Sequence, residues 1–309
     1  PWPQRQTSVR YQHPVSSSRC MLLYPLLRRT FAFLGAFAVA HAGAQASQAP
    51  EVLLRLDDVG MNQSVNEAIA KVAATGMPFS VSVLFVAPRY KEAVDLLKKN
   101  PQIAVGVHLA LNSEWRDYRW GPVLGKSAVP SLVDRDGWFW PSEGAFRASR
   151  YDLAEVEREM EAQVERALAS GLKISYVDAH MGTLRSTPQL REIQQRVAKR
   201  HGLGISTEFG ESYFTLWGLP VAAKKTALLA HLANLRSDSV NLIVVHTAVR
   251  SPEMNRLFDL NASEQNAPDA GVGAHRSAEL DALLSPEFAE RVRAGAIRLI
   301  TYAQLGSRR

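Results

Sequence analysis

Cysteine is nearly absent from this chain: one in 309 residues, Cys20, which precedes the first methionine, Met21. A product that starts at Met21 has no thiol, which excludes disulfides, thiol nucleophiles and a cysteine-built structural zinc site. Acid is absent from residues 1–50, which nevertheless hold five arginines: Arg5, Arg10, Arg19, Arg28 and Arg29. Of the 36 lysines and arginines, 31 remain beyond residue 50, against 30 acids, so the formal charge of +6 belongs to the front end. The rest is nearly neutral and offers no general electrostatic case for nucleic acid. Long apolar runs are missing too. Phe31 to Ala40 is too short to span a bilayer comfortably. No repeat of fixed period and no low-complexity tract occurs within residues 51–309.

The front end divides in two. Residues 1–20 are polar, lack periodicity and precede Met21, as an upstream extension foreign to the protein would. Residues 21–46 read as a signal peptide. Arg28-Arg29 is the positive region, Phe31 to Ala40 the apolar region, and Ala42-Gly43-Ala44 or Ala44-Gln45-Ala46 the small-residue cleavage site. Arg28-Arg29-Thr30-Phe31 also resembles a twin-arginine signal, though the flanking positions fit poorly. The expectation is export, to the periplasm or outside the cell, with no stable membrane insertion after cleavage. An uncleaved anchor is the alternative.

Residues 51–305 form the folded domain. Val52 to Leu56 is an apolar run of the kind buried in parallel sheets, and it ends in Asp57-Asp58. Gly60 makes a turn, and Ser64 with Glu67 has the pattern of a capping box opening a helix to Thr75. Further strands are expected at Ser80–Val86, Ile103–Leu109, Ile174–Val177, Gly204–Ser206, Val240–Val245 and Ala296–Thr301. Helices are expected at Tyr90–Lys99, Asp152–Ser170, Thr187–Arg200, Leu219–Leu235, Ser277–Leu284 and Pro286–Ala294. This alternation predicts an α/β fold with right-handed crossovers, an irregular, seven-stranded, TIM-like (β/α) barrel. The rhythm breaks between Asn112 and Ser149, which contain four of the six tryptophans. Trp115, Trp120, Trp138 and Trp140 are candidates for stacking on a sugar ring or for a small apolar cluster under the loop. Glu114, Arg116 and Arg119 could bind hydroxyls or be solvated.

Three histidines, His108, His180 and His246, close predicted strands. In a parallel barrel those ends share one rim with Asp57 and Asp58, where such barrels place their active sites. His201, His231 and His275 read as surface residues. Two imidazoles and a carboxylate make a common set for a divalent ion with open positions. A second carboxylate can serve as general base, and the third histidine can protonate a leaving group. Asp178, two residues before His180, can orient an imidazole as a supporting carboxylate. The inventory fits metal-assisted hydrolysis, in particular of an amide. A retaining glycosidase fits less well, because adjacent strand-end residues point in different directions.

Asp57-Asp58-Val59-Gly60 resembles the acidic-pair signature of the YdjC-like carbohydrate deacetylases, relatives of chito-oligosaccharide deacetylase. The GVHL around His108, Val177-Asp178-Ala179-His180, the VVHT around His246, and Arg276 with Glu279 resemble that family's later motifs, in order. The third motif departs at Met181-Gly182-Thr183 and the late motif at Thr247-Ala248. The resemblance implies that Asp58, His108 and His180 bind a divalent metal, zinc or magnesium. It also implies Asp57 as base, His246 as acid and Arg276 as a group that positions the catalytic carboxylate. The implied partner is an acetylated carbohydrate, and a homodimer is compatible with it. Rival readings are another hydrolase on the same barrel and a periplasmic carbohydrate-binding protein with an inactive site.

Overall fold

In the computed structural model, residues 49–261 and 271–308 are described. The expected upstream extension (residues 1–20) and the expected signal peptide (residues 21–46) lie outside them. A run of nine residues, β1 (Glu51–Val59), is the centre of the sheet and is buried from Val52 onward. It pairs in parallel with β2 (Ser80–Val83) on one side and with β7 (Asn241–Val245) on the other. From β2 the sheet continues through β3 (Ala104–Leu109) and β4 (Ile174–Ala179) to β5 (Gly204–Ile205). From β7 it continues to β6 (Ser212–Thr215). Every pairing is parallel, and the strands follow one another in cyclic sequence order. The ring is joined between β1 and β7 and left unpaired, among the described residues, between β5 and β6. The expected irregular α/β barrel is what forms.

Among the described residues seven strands make the ring, the number expected, and the sheet has an eighth. The eighth, β8 (Arg298–Ile300), pairs with Glu51–Leu53 at the start of β1 and lies off the ring. The strand missing from the expectation is β6. Its four residues SYFT lack the apolar run that marks its neighbours, and Tyr213 is 51% exposed.

Helices cover the outside of the ring. They are α1 (Gln63–Ala73), α2 (Tyr90–Lys98), α4 (Leu153–Ala169), α5 (Pro188–Arg200), α6 (Lys224–Leu232), α8 (Val272–Leu283) and α9 (Pro286–Arg293), with the short α7 (Pro252–Asn255) before α8. Helix α10 (Tyr302–Gly306) instead packs Tyr302 and Leu305 on the other face of the sheet, against Leu53, Tyr176, Leu242 and Val244. Within α4 the spacing of Val156, Met160, Val164 and Ala167 puts one stripe into the core. The start of α1 differs from expectation. Asn62, not Ser64, is the cap, and its side chain accepts the Val65 N–H at 3.0 Å. Ser64 is buried inside the helix, where its hydroxyl meets Ser251 and Glu253 at 2.7 and 3.0 Å. Glu67 is held by Gln63 at 2.7 Å instead of reaching back. Helix α8 begins five residues earlier than expected and so carries Arg276 within it. The aromatic excursion between β3 and α4 holds α3 (Glu143–Ala148) and two isolated bridges, Asn112 to Trp140 and Val133 to Phe139. Among the described residues no helix is long and apolar enough to cross a membrane.

Candidate metal centre and active site

A strand alternates its side chains between two faces, so adjacent aspartates should diverge. They do not here. Between Leu56 and Val59 the β1–β2 register slips, three steps on β1 against two on β2. Asp58 occupies this bulge with φ +62°, in the left-handed region that aspartate tolerates better than most residues. Asp57 and Asp58 therefore both line one cleft of about 450 Å³ at the C-terminal rim of the barrel. This corrects the divergence expected from sequence, the ground on which a retaining glycosidase fits less well.

The structure brings Asp58, His108 and His180 together. His108 Nε2 and His180 Nδ1 each lie 3.4 Å from Asp58 Oδ1 and 3.2 Å from one another. All three side chains are buried, and among the described residues Asp58 Oδ1 has no hydrogen-bond partner. A buried carboxylate oxygen without a donor is costly unless a cation meets it. Each imidazole is anchored through its other nitrogen. His108 Nδ1 meets Asp178 Oδ1 at 2.8 Å, and His180 Nε2 meets Glu114 Oε2 at 2.9 Å. If those outer nitrogens donate, the lone pairs of the inner ones face Asp58 Oδ1, which is the arrangement of imidazole ligands with supporting carboxylates. The donor set thus fits a divalent ion.

The electrostatics agree. Burial disfavours a charged His108, but Asp178 and Asp57, with Asp58, outweigh it and lift the imidazole to about 9. Burial likewise opposes charge on His180, and Glu114 and Asp58 raise it to about 10. Burial pushes Asp58 up, yet Arg276, His108 and His180 hold it well below the usual carboxylate range. The pocket is built to hold positive charge.

Arg276 is one such charge. Its Nη2 donates to Asp58 Oδ2 at 2.6 Å, and its guanidinium carbon sits 5.4 Å from the ring centres of both Trp115 and Trp217. Its carboxylate partner is therefore Asp58, not the Asp57 anticipated. Asp57 is gripped by Arg55, with Nε to Oδ1 and Nη2 to Oδ2 both at 2.7 Å.

His246 follows β7 on the other side of the cleft. Its Nε2 is 3.9 Å from Asp57 Oδ2, and its ring centre is 4.7 Å from that of Trp217. Its backbone N–H donates to Glu279 Oε2 at 2.7 Å, and Glu279 Oε1 accepts from Lys224 at 2.6 Å. Burial, only partly offset by Asp58 and Asp57, depresses this imidazole to about 4.

The tryptophans do not present sugar platforms as a group. Trp115 is 0% and Trp120 2% exposed, so neither has a face for a ligand. Trp120 backs His180 at 5.9 Å between ring centres, and its indole N–H donates to Asn112 O at 2.8 Å. Trp140 is half-buried against the core, and Trp138 is 41% exposed but does not line the cleft. The aromatic residues at the cleft are Tyr213 and Trp217, both outside the excursion. Glu114 is buried on His180 and is not a solvated or hydroxyl-binding group. Of the histidines expected at the surface, His275 is buried in α8, His201 is half-buried on Glu161, and His231 stacks on Phe214 at 3.9 Å.

Fold and site together define an α/β barrel with a two-histidine, one-carboxylate candidate metal centre at its C-terminal rim. The family described as YdjC-like protein matches residues 51–294, and the chain belongs to it. A relative named carbohydrate deacetylase from Vibrio vulnificus (strain YJ016) is 26% identical over 264 residues, covering 82% of this chain and 96% of the relative. Another of that name, from Listeria welshimeri, is 29% identical over 213 residues, covering 64% and 81%. Among solved structures, a putative cellobiose-phosphate cleavage protein from Enterococcus faecalis superposes with a TM-score of 0.66 at 21% identity, covering 84% of this chain and 99% of that one. At that identity the likeness speaks to the fold alone.

Proposed function

We propose that the protein is a metal-dependent carbohydrate deacetylase that cleaves an N-acetyl group by hydrolysis. The observation that carries this reading is the buried trio of Asp58, His108 and His180. Its inner donor atoms face one point, and its outer imidazole nitrogens are tied to Asp178 and Glu114. Relatives named carbohydrate deacetylase, matched over nearly their whole length, support the substrate class.

Asp58, His108 and His180 would hold the ion. Two imidazoles among three donors favour a first-row ion such as zinc over magnesium, which prefers oxygen ligands. When bound, such an ion polarises a carbonyl and makes water acidic near neutral pH. The chain's own residues do the rest. Asp57, fixed in plane by Arg55, takes a proton from the attacking water. A carboxylate oxygen has lone pairs to spare beyond the arginine fork, so this grip does not exhaust Asp57. His246 delivers a proton to the departing nitrogen. With its imidazole at about 4 it is neutral at rest, so it must first take up the proton released at Asp57, a transfer for which the 3.9 Å between them has to shorten or hold a bridging water. Tyr213 and Trp217 offer the aromatic wall for a sugar ring.

The test is acetate release from a panel of N- and O-acetylated sugars, with and without a chelator. Metal-dependent release from N-acetyl substrates is expected, with Asp57→Asn slowed about 100- to 10,000-fold. Equal release in chelator would sink the metal's role, and full activity in Asp57→Asn would sink the base. Export is a separate proposal, resting on the pattern of residues 21–46. Mass spectrometry of the amino terminus after expression from Met21 checks it, and an unprocessed chain retained in the cytoplasm would overturn it.

A further inference from the structure

We propose that Arg55 is a positioning residue that binds the base side and the metal side of the site into one rigid unit. This rests on the deacetylase reading above. Arg55 interrupts an otherwise apolar stretch of β1 and is 4% exposed. A charge so deep in a strand is unusual unless it is paired. It touches Asp57 through the two 2.7 Å bonds already described. Its Nη2 also lies 3.1 Å from Asp178 Oδ2, an ion pair without hydrogen-bond alignment, and its Nη1 donates to Ser206 Oγ at 2.5 Å. The opposite oxygen of Asp178 is the one that meets His108 Nδ1. A continuous path of contacts therefore runs from the proposed base, through one guanidinium, to the carboxylate that sets the orientation of a metal-binding imidazole.

A second grouping reinforces the point. Donor atoms of Asp57, His108 and Asp178 also lie within 4.8 Å of one another, a cluster that could itself attract a cation. Arg55 supplies that positive charge from within the chain. Its planar fork fixes both carboxylates at once, where a lysine offers a single point charge on a flexible stem. Without it, two buried carboxylates face each other and the support of His108 loosens.

The test is a double-mutant cycle on metal affinity. Divalent-ion dissociation constants are measured by competition with a chromogenic chelator for wild type, Arg55→Gln, Asp178→Asn and the double variant. Each single variant is expected to weaken binding about 10-fold, and the double variant about 10-fold, not the about 100-fold of independent sites. In parallel, Arg55→Gln should lower kcat about 100-fold with KM changed less than about threefold, because the base is misaligned while substrate contacts remain. Arg55→Lys should recover part of the metal affinity but little of kcat. Additive effects in the cycle, or wild-type kcat and metal affinity in Arg55→Gln, would overturn the proposal. Should Arg55→Gln fail to fold by circular dichroism, Arg55→Lys with Asp178→Asn carries the same cycle. If the wild type releases no acetate from any sugar, the deacetylase reading falls, while the chelator competition still decides the role of Arg55.

Discussion

One residue type stands on two sides of this cleft in opposite states. On the β3–β4 side, His108 and His180 sit among Asp58, Asp178 and Glu114 and are raised to about 9 and about 10. On the β7 side, His246 is 18% exposed, its ring has Asp57 no nearer than 3.9 Å and no carboxylate in hydrogen-bond contact, and burial brings it down to about 4. Burial pushes all three the same way. The number of carboxylates in contact decides which way the balance tips. Position at a strand end makes a histidine available, and its neighbours assign it to a cation or to proton traffic.

The largest expected break in this comparison is His108→Ala. It should abolish stoichiometric retention of a divalent ion and lower activity at least about 1000-fold, read by metal analysis after desalting. Retained metal would show that the trio is not the centre. His246→Gln should instead leave metal content at the wild-type level and lower kcat about 100-fold. Loss of metal in that variant would erase the distinction between the two sides.

A titration sharpens the contrast further. Without a cation, His108 and His180 hold protons more tightly when folded than when unfolded. That stabilisation is fully present below about 6.5, the ordinary histidine value. It is lost as pH rises through about 9 and about 10. His246 runs the other way, its contribution being present above the ordinary value and lost as pH falls toward about 4. Because the ion competes with protons for the inner nitrogens, its affinity should rise with pH over the same alkaline range, about tenfold per unit for each proton displaced. Melting curves with and without chelator check this: the chelated protein should lose stability from pH 7 to 10 while the loaded protein does not. Parallel curves would show that no proton is displaced. The smallest effects belong to the aromatic excursion. Trp120→Ala should cost about 3–5 kcal/mol of stability, as a large buried ring behind His180. Trp138→Ala should change stability by less than about 0.5 kcal/mol, by chemical denaturation.

Much of the catalytic rim was legible because its strands are long apolar runs that stop at an acid or a histidine. Strands β1, β3, β4 and β7 could be placed, and with them Asp57, Asp58, His108, His180 and His246. Strand β6 carries no such run, so Tyr213 and Trp217 went unseen. Glu114 sits 66 positions from the imidazole it holds, and no local pattern links them. Arg55 did leave a signal. It is a charge inside a buried strand, two residues before Asp57 and on its face, and such a charge implies a buried partner. The bulge at Asp58 left none, since a register slip depends on how β1 meets β2. The helix cap shifted for a similar reason: distant Ser251 and Glu253 draw Ser64 inward.

The unjoined margin between β5 and β6 has its own consequence. A sheet that fails to close keeps two borders of unsatisfied backbone groups, which ordinarily invite strands from other molecules. Here one border is two residues long and the other four. Both are shorter than the roughly six-residue segments that seed stacked fibrils. The barrel can remain incomplete without offering a template for self-association.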